Sequence, residues 1–450
     1  MAEAAARSEL SHGICAAYGT GWIGGQVFRD VPALILLPFM LTAAGVPPAV
    51  AGAAIFIPKL WIVFCDPLMG LWSDRTRSRW GRRRPFLFVG AILCGLSFVA
   101  LFNVPALDSG VAKGIYVGAI YTLASTAFSI YSVPYLTMGS ELATTMHERT
   151  VVMGWRQAGL GFGLIAGNAM PLWLVEQGGG GAPGYSFMAL VLAAICFVTM
   201  MTTVVGTASV RLTEQVDAPV PLAQQVRLAA KNRPFLILVA ANFAQLVGSA
   251  GGYATTAMFM IYRLKMDFAF ISTFLLLMSC MVVITPVAWT MLSRRIGKRA
   301  VFIISIVCFI LTFSAFGVAT PDDTVLIYAI AVGLGSFNCG FSLMAFSMLL
   351  DTIAYDRKLS GLNREGVYAG LWSAMDKTAF AFGALLAGTA LGYAGYRESS
   401  EGFVAQSPEA LRGLALIYVG MPTGFAVLAL LIMLTYSLTE RDLAPAKSRS

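Results

Sequence analysis

The sequence predicts an all-α polytopic membrane protein with twelve transmembrane helices in two halves of six. Three observations predict it. Of 450 residues, 58% are hydrophobic and only 12% are charged, where a soluble domain carries about a quarter charged residues and under half apolar ones. The mean hydropathy is +0.75. Apolar runs of the ~20 residues needed to cross a bilayer recur along the whole chain. This composition has too few polar side chains to build a water-facing surface. It excludes a soluble enzyme, a nucleic-acid-binding protein and a disordered chain. The net charge of +8 would suggest nucleic acid in a soluble protein; here it is read loop by loop, because cationic loops orient membrane proteins.

Taken in order, residues 1–13 form a short cytoplasmic N-terminus with Glu3, Arg7, Glu9 and His12. That segment has no apolar core with a small-residue cleavage site, so it does not read as a cleaved signal peptide. The first six spans are expected near 14–43, 49–73, 86–105, 112–145, 151–175 and 185–210, making an N-terminal bundle over 14–210. The longest polar stretch, 211–233, holds Arg211, Glu214, Asp217, Pro219 and Pro221 and reads as a cytoplasmic linker. The second six spans are expected near 234–262, 268–292, 300–319, 324–354, 365–394 and 410–438, making a C-terminal bundle over 234–438. Residues 439–450 follow as a cytoplasmic tail. The N-terminus, alternate loops, linker and tail hold 22 of the 31 Lys and Arg residues, which places both termini on the cytoplasmic side of an inner membrane.

A faint internal repeat supports two halves. Arg79-Trp80-Gly81-Arg82-Arg83 follows span two, and Arg295-Ile296-Gly297-Lys298-Arg299 follows span eight. Duplicated bundles of this build hold a solute at mid-membrane and rock one repeat against the other. The seven cysteines each lie in an apolar run, with no CxxC pair, and read as small buried residues. Gly154, Gly159, Gly161, Gly163 and Gly167 crowd span five; their spacing reads as a close-packing helix face, not a phosphate cradle. No Walker loop is present, and neither His12 nor His147 has a nearby Cys or His cluster, so no enzyme, cofactor or metal site is indicated.

A charge within a span costs roughly 2–3 kcal/mol or more, so its presence needs a reason. Arg29, Lys59, Asp66, Glu141, Arg156, Asp351, Asp376 and Lys377 fall within or at the ends of spans. Asp66 precedes Pro67, which removes a backbone donor and can loosen the helix there. A carboxylate at such a turn suits a proton or cation, or a structural pair with a neighbouring Arg or Lys. Arg156 and Lys377 come from opposite halves and carry several donors, which suits a hydroxyl-rich or anionic solute. The arginine-rich loop 74–85 reads both as a topology signal touching lipid phosphates and as a gate, in which Asp74, Arg75, Gly81, Arg82, Arg83, Glu141 and Arg149 take part.

Two blocks resemble a known family. Asp66-Pro67-Leu68-Met69-Gly70 with Asp74-Arg75-Thr76-Arg77-Ser78-Arg79-Trp80-Gly81-Arg82-Arg83-Arg84-Pro85 is similar to the glycoside–pentoside–hexuronide:cation symporters of the major facilitator superfamily, which include the melibiose permeases. The Gly81–Pro85 ending is also similar to sucrose–proton symporters. The second block is Met348-Leu349-Leu350-Asp351-Thr352-Ile353-Ala354-Tyr355-Asp356, then Arg364-Glu365-Gly366 and Lys377. Tyr18-Gly19 and Ser132-Val133-Pro134-Tyr135 add to it. The resemblance implies a twelve-helix alternating-access transporter. It implies that Asp66 belongs to the cation site, that Arg156 and Lys377 lie by the cavity, and that Asp351, Arg364 and Glu365 belong to the cytoplasmic gate. Gln26, Tyr135 and Trp372 complete the expected solute-binding set, and Asp376 is a second candidate carrier.

Sodium-coupled members of that family keep further acids in spans one, two and four, and the matching positions here hold Gln26, Ile62 and Ser132. Sodium prefers several oxygens, whereas a proton needs one titratable carboxylate. The sequence therefore reads as a proton-coupled carrier, rather than a sodium-coupled one, of a sugar or glycoside. It would act as a monomer among membrane lipids, without nucleic acid or cofactor. Trp22, Phe28, Tyr253 and Phe259 keep open a uniporter or exporter of an amphipathic or aromatic solute on the same fold. A membrane sensor or scaffold that moves no solute is the reading from another class.

Overall fold

The computed structural model describes residues 10–143, 146–210, 232–360 and 365–438, except for the side chains at 140, 146, 147, 149, 359, 360, 365 and 366. All but the end of the expected linker, and the whole expected tail, lie outside the described residues. Among those described the chain forms thirteen α-helices: α1 His12–Phe39, α2 Pro48–Arg75, α3 Arg84–Phe102, α4 Gly110–Leu142, α5 Met146–Gln177, α6 Gly181–Gly206, α7 Arg233–Tyr262, α8 Phe268–Ile284, α9 Pro286–Ile296, α10 Lys298–Ser314, α11 Thr324–Ser360, α12 Glu365–Tyr393 and α13 Pro408–Leu434. Ten are long and apolar enough to cross a membrane, and α8 with α9, bent by 48°, would make an eleventh if the two form one span. The remaining long helix, α12, has its apolar run interrupted by Asp376 and Lys377.

The helix starts follow local chemistry. The Ser11 hydroxyl accepts from the Gly13 N–H at the start of α1, and Ser109 accepts from Ala112 N–H at the start of α4. These side chains satisfy donors that have no partner within the first turn. Pro48 opens α2, and proline also stands in the first turn of α3, α7 and α9, where its missing N–H costs nothing. The expected single span 268–292 is instead broken at Thr285-Pro286, because Pro286 cannot donate within the helix and the Thr285 hydroxyl donates back to the Met281 carbonyl. Pro67, by contrast, lies inside an unbroken α2.

The end of α1 widens into a π-helical turn, Met40–Ala44. The Leu41 carbonyl there accepts from the Ser399 N–H at 2.9 Å, and the Thr42 carbonyl from the Gly402 N–H at 2.8 Å. These bonds help explain the chain's division into compact units. Unit 1 comprises Met1–Asp217, Asp267–Leu276 and Gly388–Ala410; unit 2 comprises Ala218–Met266, Leu277–Ala387 and Leu411–Ser450.

In unit 1, α1 is the most enclosed helix, with 83% of its apolar window buried. It crosses α5 at backbone distance. A Cβ at Gly159 would stand 2.0 Å from the Gly19 carbonyl oxygen, and one at Gly163 would meet Gln26 Cβ at 2.6 Å. The glycine face expected in span five is therefore the seam with α1, but Gly154 is not part of it: a Cβ there would meet nothing within 4 Å. In unit 2, α7 is the most enclosed helix. Its Asn232 side chain accepts from Phe235 N–H and donates to the Thr352 carbonyl and the Tyr368 hydroxyl. All seven cysteines are unpaired, and five of them are buried.

The α1–α5 seam gives a paired prediction. Gly159→Ala forces α1 and α5 apart and lowers the thermal midpoint of the purified protein. Gly154→Ala, in open space, gains about 1 kcal/mol of helix propensity and leaves the midpoint unchanged or raised. Equal effects of the two changes in a thermal-shift assay would refute the seam.

Candidate functional site

Unit 1 carries a polar centre built on α1, α4 and α5. Tyr18 and Tyr135 stack with ring centroids 4.4 Å apart, and each hydroxyl donates to the other residue's carbonyl. Trp22 stacks on Tyr135 at 5.1 Å, one turn of α1 further on. The Arg156 guanidinium lies over the Trp22 ring at 4.5 Å from its centroid, a cation–π contact whose strength grows as water is excluded. Gln26, one more turn along α1, is 6% exposed and donates from Nε2 to Asp30 Oδ2 at 2.7 Å.

Three buried polar atoms in this centre have no protein partner: Trp22 Nε1, Gln26 Oε1 and Arg156 Nε. Buried polar atoms are nearly always satisfied, so three orphans on adjacent turns of α1 and the facing part of α5 mark a place for a polar molecule. Together they offer an indole donor, an amide acceptor, a guanidinium and an aromatic face. Tyr135, expected to touch solute, is fully buried with its hydroxyl taken by Tyr18; it supports the Trp22 ring.

Asp66 is half-buried on α2, and its Oδ1 accepts from the Ser129 hydroxyl of α4. In unit 2, Trp372 is buried on α12 while Asp376 and Lys377 are half-buried. Asn242 of α7 donates to Met375 Sδ at 3.8 Å, which joins α7 to this stretch of α12.

The arginine loop is tied down within unit 1. Arg83, 2% exposed, donates to Glu141 Oε1 from Nε and Nη2 at 3.1 and 2.8 Å, to Asp74 at 2.6 Å and to the Ser73 hydroxyl at 2.6 Å. Arg82 reaches the same Glu141 oxygen at 2.6 Å. Arg84 donates to the Thr207 and Val210 carbonyls, at the C-terminal end of α6, where a cation suits the helix dipole. Arg75 is exposed. Arg364 and the side chains of Arg149 and Glu365 lie outside the described residues.

Unit 2 repeats the pattern. Gly81 and Gly297 both hold left-handed φ, +83° and +85°, which glycine adopts without a Cβ clash. The next residue, Arg82 or Lys298, pairs with an acid of the fourth span in its half. For Lys298 the acid is Asp351, met through both oxygens at 2.7 Å.

Asp30 and Lys59 complete the inventory. Lys59 of α2 lies over the Tyr121 ring at 5.4 Å. Asp30 was not picked out by sequence reasoning, although the four-residue spacing from Gln26 puts both on one face of α1. The other missed partners were Ser129, Ser73 and Asn242.

Comparison with known proteins fits this architecture. The sequence profile of the MFS/sugar transport protein family matches residues 17–440, and the chain belongs to that family. It is a multi-span secondary transporter, not an enzyme. It is 26% identical to the isoprimeverose transporter of Lactiplantibacillus pentosus over 410 residues, covering 88% of this chain and 83% of the relative. It is 28% identical to the inner membrane symporter YicJ of Escherichia coli strain K12 over 191 residues, 40% of this chain and 41% of that one. Among solved structures, a bacterial homologue of the iron transporter ferroportin in an inward-facing state matches with a TM-score of 0.67 and 15% identity, covering 96% and 99% of the two chains; that likeness shows the fold.

The Arg83–Glu141 pair yields the second prediction. Arg83→Ala leaves the 2%-exposed Glu141 carboxylate with Arg82 alone as its counter-charge, so the loss is below the ~3–5 kcal/mol of a fully broken buried pair. Adding Glu141→Gln recovers part of it. A double-mutant cycle by thermal or denaturant unfolding checks this; additive losses would show that the two side chains act independently.

Proposed function

We propose that this transporter is a proton-coupled symporter of a sugar or glycoside in the cytoplasmic membrane, with both termini on the cytoplasmic side. The observation that carries the reading is the set of orphaned polar atoms around the Trp22 ring and the Arg156 guanidinium. A sugar presents a C–H face that packs on an aromatic ring, and a rim of hydroxyls that donate and accept. Trp22, Gln26 and Arg156 match both features. Lys377 and Trp372 are assigned to solute binding on the sequence reading, and Asp66 and Asp376 to coupling. The name of the isoprimeverose transporter supports a small sugar, and that of YicJ supports symport. The loop asymmetry in Lys and Arg supports the orientation. The arginine pairs around Glu141 and Lys298–Asp351 are assigned to the cytoplasmic gate.

Proton coupling is favoured over sodium because Gln26, Ile62 and Ser132 supply no carboxylate to a cation cage. A hard cation such as sodium is held by several oxygens together; calcium and magnesium show the same demand. The test is uptake of isoprimeverose and a panel of glycosides into vesicles under an imposed pH gradient, with and without sodium. Acid-outside gradients are expected to drive accumulation without sodium, and sodium-dependent uptake indifferent to pH would overturn the coupling. Trp22→Ala and Arg156→Ala are expected to weaken solute binding by about tenfold or more each, about 1.4 kcal/mol. Preference for planar aromatic compounds over every sugar in the panel would favour an amphipathic-solute carrier instead.

A further inference from the structure

The ion pairs assigned above to the gate are short: Arg83–Glu141 at 2.8 Å, Arg82–Glu141 at 2.6 Å and Lys298–Asp351 at 2.7 Å. Asp30 differs. It lies on α1, the most enclosed span, with its side chain 13% exposed. Its nearest cation, Arg29 Nε, stands at 4.0 Å on a half-exposed side chain. Lys59 acts on it from α2, and from α5 the backbone at Gly167 packs against it. Among the described residues Arg29 and Lys59 are the charged groups that face it. Its shortest bond, 2.7 Å, comes from a neutral amide, Gln26 Nε2.

That amide has two ends. Nε2 is held by Asp30 while Oε1 is buried without a partner, one turn of α1 beyond Trp22, whose Nε1 is likewise buried without a partner. An ionised carboxylate only accepts hydrogen bonds, whereas a protonated one also donates. With Asp30 ionised, Gln26 must direct its N–H group to Asp30 and present an oxygen to the centre. With Asp30 protonated, the amide is free to rotate: Oε1 accepts from the Asp30 O–H, and Nε2 donates into the centre. The hydrogen-bonding character of the centre then follows the protonation of Asp30.

We infer that Asp30 is a proton-binding site, and that Gln26 transmits its protonation to the solute-binding residues by reversing its amide. The inference rests on the transporter reading above and adds to it a carrier and a relay. The proton comes from water and resides on Asp30 Oδ1 or Oδ2; no other bond is made or broken. A cation–carboxylate lock would fix one state, but a carboxylate bonded to an amide can exist in both, with Lys59 and Arg29 close enough to balance the ionised form.

Infrared difference titration of the full chain in lipid vesicles, from alkaline to acidic pH, tests this without a solute. Native protein is expected to show a carboxylic-acid C=O band that grows as pH falls. Asp30→Asn removes one component of that band, and Asp30→Glu restores a component at a displaced midpoint, which separates loss of titration from loss of folding. Gln26→Leu displaces the midpoint, since a carboxylate stripped of an N–H donor changes its proton affinity. An unaltered titration in Asp30→Asn, or an unmoved midpoint in Gln26→Leu, overturns the inference. Vesicle uptake of isoprimeverose separates the two levels. Native protein that accumulates it under a pH gradient, with titration unaltered in Asp30→Asn, sinks this inference alone. Native protein with no proton-driven uptake of any panel sugar sinks the coupling reading, and leaves the infrared result to decide whether Asp30 titrates.

Discussion

The backbone contact between Gly19 and Gly159 organises the polar centre of unit 1. With a Cβ at Gly159 only 2.0 Å from the Gly19 oxygen, neither helix has room for a methyl group there. The approach puts residues two and three turns apart on α1 against the early part of α5. Arg156 lies one turn before Gly159, and Trp22 one turn after Gly19, so the crossing sets the guanidinium over the indole. Gln26 lies against Gly163 and Asp30 against Gly167. Every member of the polar centre on α1 thus faces a glycine or a cation of α5. In membranes, where lipid tails are as apolar as leucine, small residues provide the packing that holds helices together. Here the same residues admit polar side chains between the helices.

The ion pairs after Gly81 and Gly297 follow a different logic, repeated in each half of the chain. A left-handed glycine ends a tight turn, the next residue is a cation, and the fourth span of that half supplies the acid. The halves differ in degree. Glu141 binds two arginines and is buried, whereas Asp351 binds one lysine and remains partly exposed. A guanidinium offers five donors in a plane, and Arg83 uses this to join Glu141, Asp74 and Ser73 at once. Lysine, a point charge, joins one carboxylate.

Much of this was legible in the sequence. Hydropathy located the spans, because a bilayer demands a run of apolar residues whatever surrounds it. Basic residues located the loops, and the Gly81 and Gly297 repeat located the turns, since few residues tolerate positive φ. The 48° break at Pro286 and the π turn after Phe39 were not read out, because each depends on which backbone groups find partners elsewhere: Thr285 on Met281, Leu41 on Ser399. The candidate site was read in part. Arg156 and Gln26 were named, but a list of charges does not say which neighbour each one meets. Tyr135 reads as a polar ligand until its hydroxyl is seen bonded to Tyr18, and Asp30 is hidden beside Arg29, as though the two formed a simple pair. Their Nε–Oδ1 distance of 4.0 Å makes it a loose pair, longer than the 2.7 Å bond from Gln26 Nε2.

The position of that carboxylate bears on coupling. On the alignment the resemblance implies, Gln26 stands where sodium-coupled members keep an acid, and Asp30 lies one turn further along α1, a rise of about 6 Å. A cage for sodium needs its oxygens to converge on one point, so moving an acid by a turn dissolves it. A proton makes no such demand: one carboxyl holds it wherever that carboxyl can be both ionised and neutral. What it needs in addition is a link to the solute, and the proposal gives that part to the Gln26 amide, which bonds the carboxylate at one end and keeps a buried, unpartnered oxygen at the other. Substituting glutamine for an acid at position 26 therefore does more than remove a charge. It puts in place of an acid a neutral amide held by the carboxylate behind it, and this is the physical argument for the proposed proton coupling.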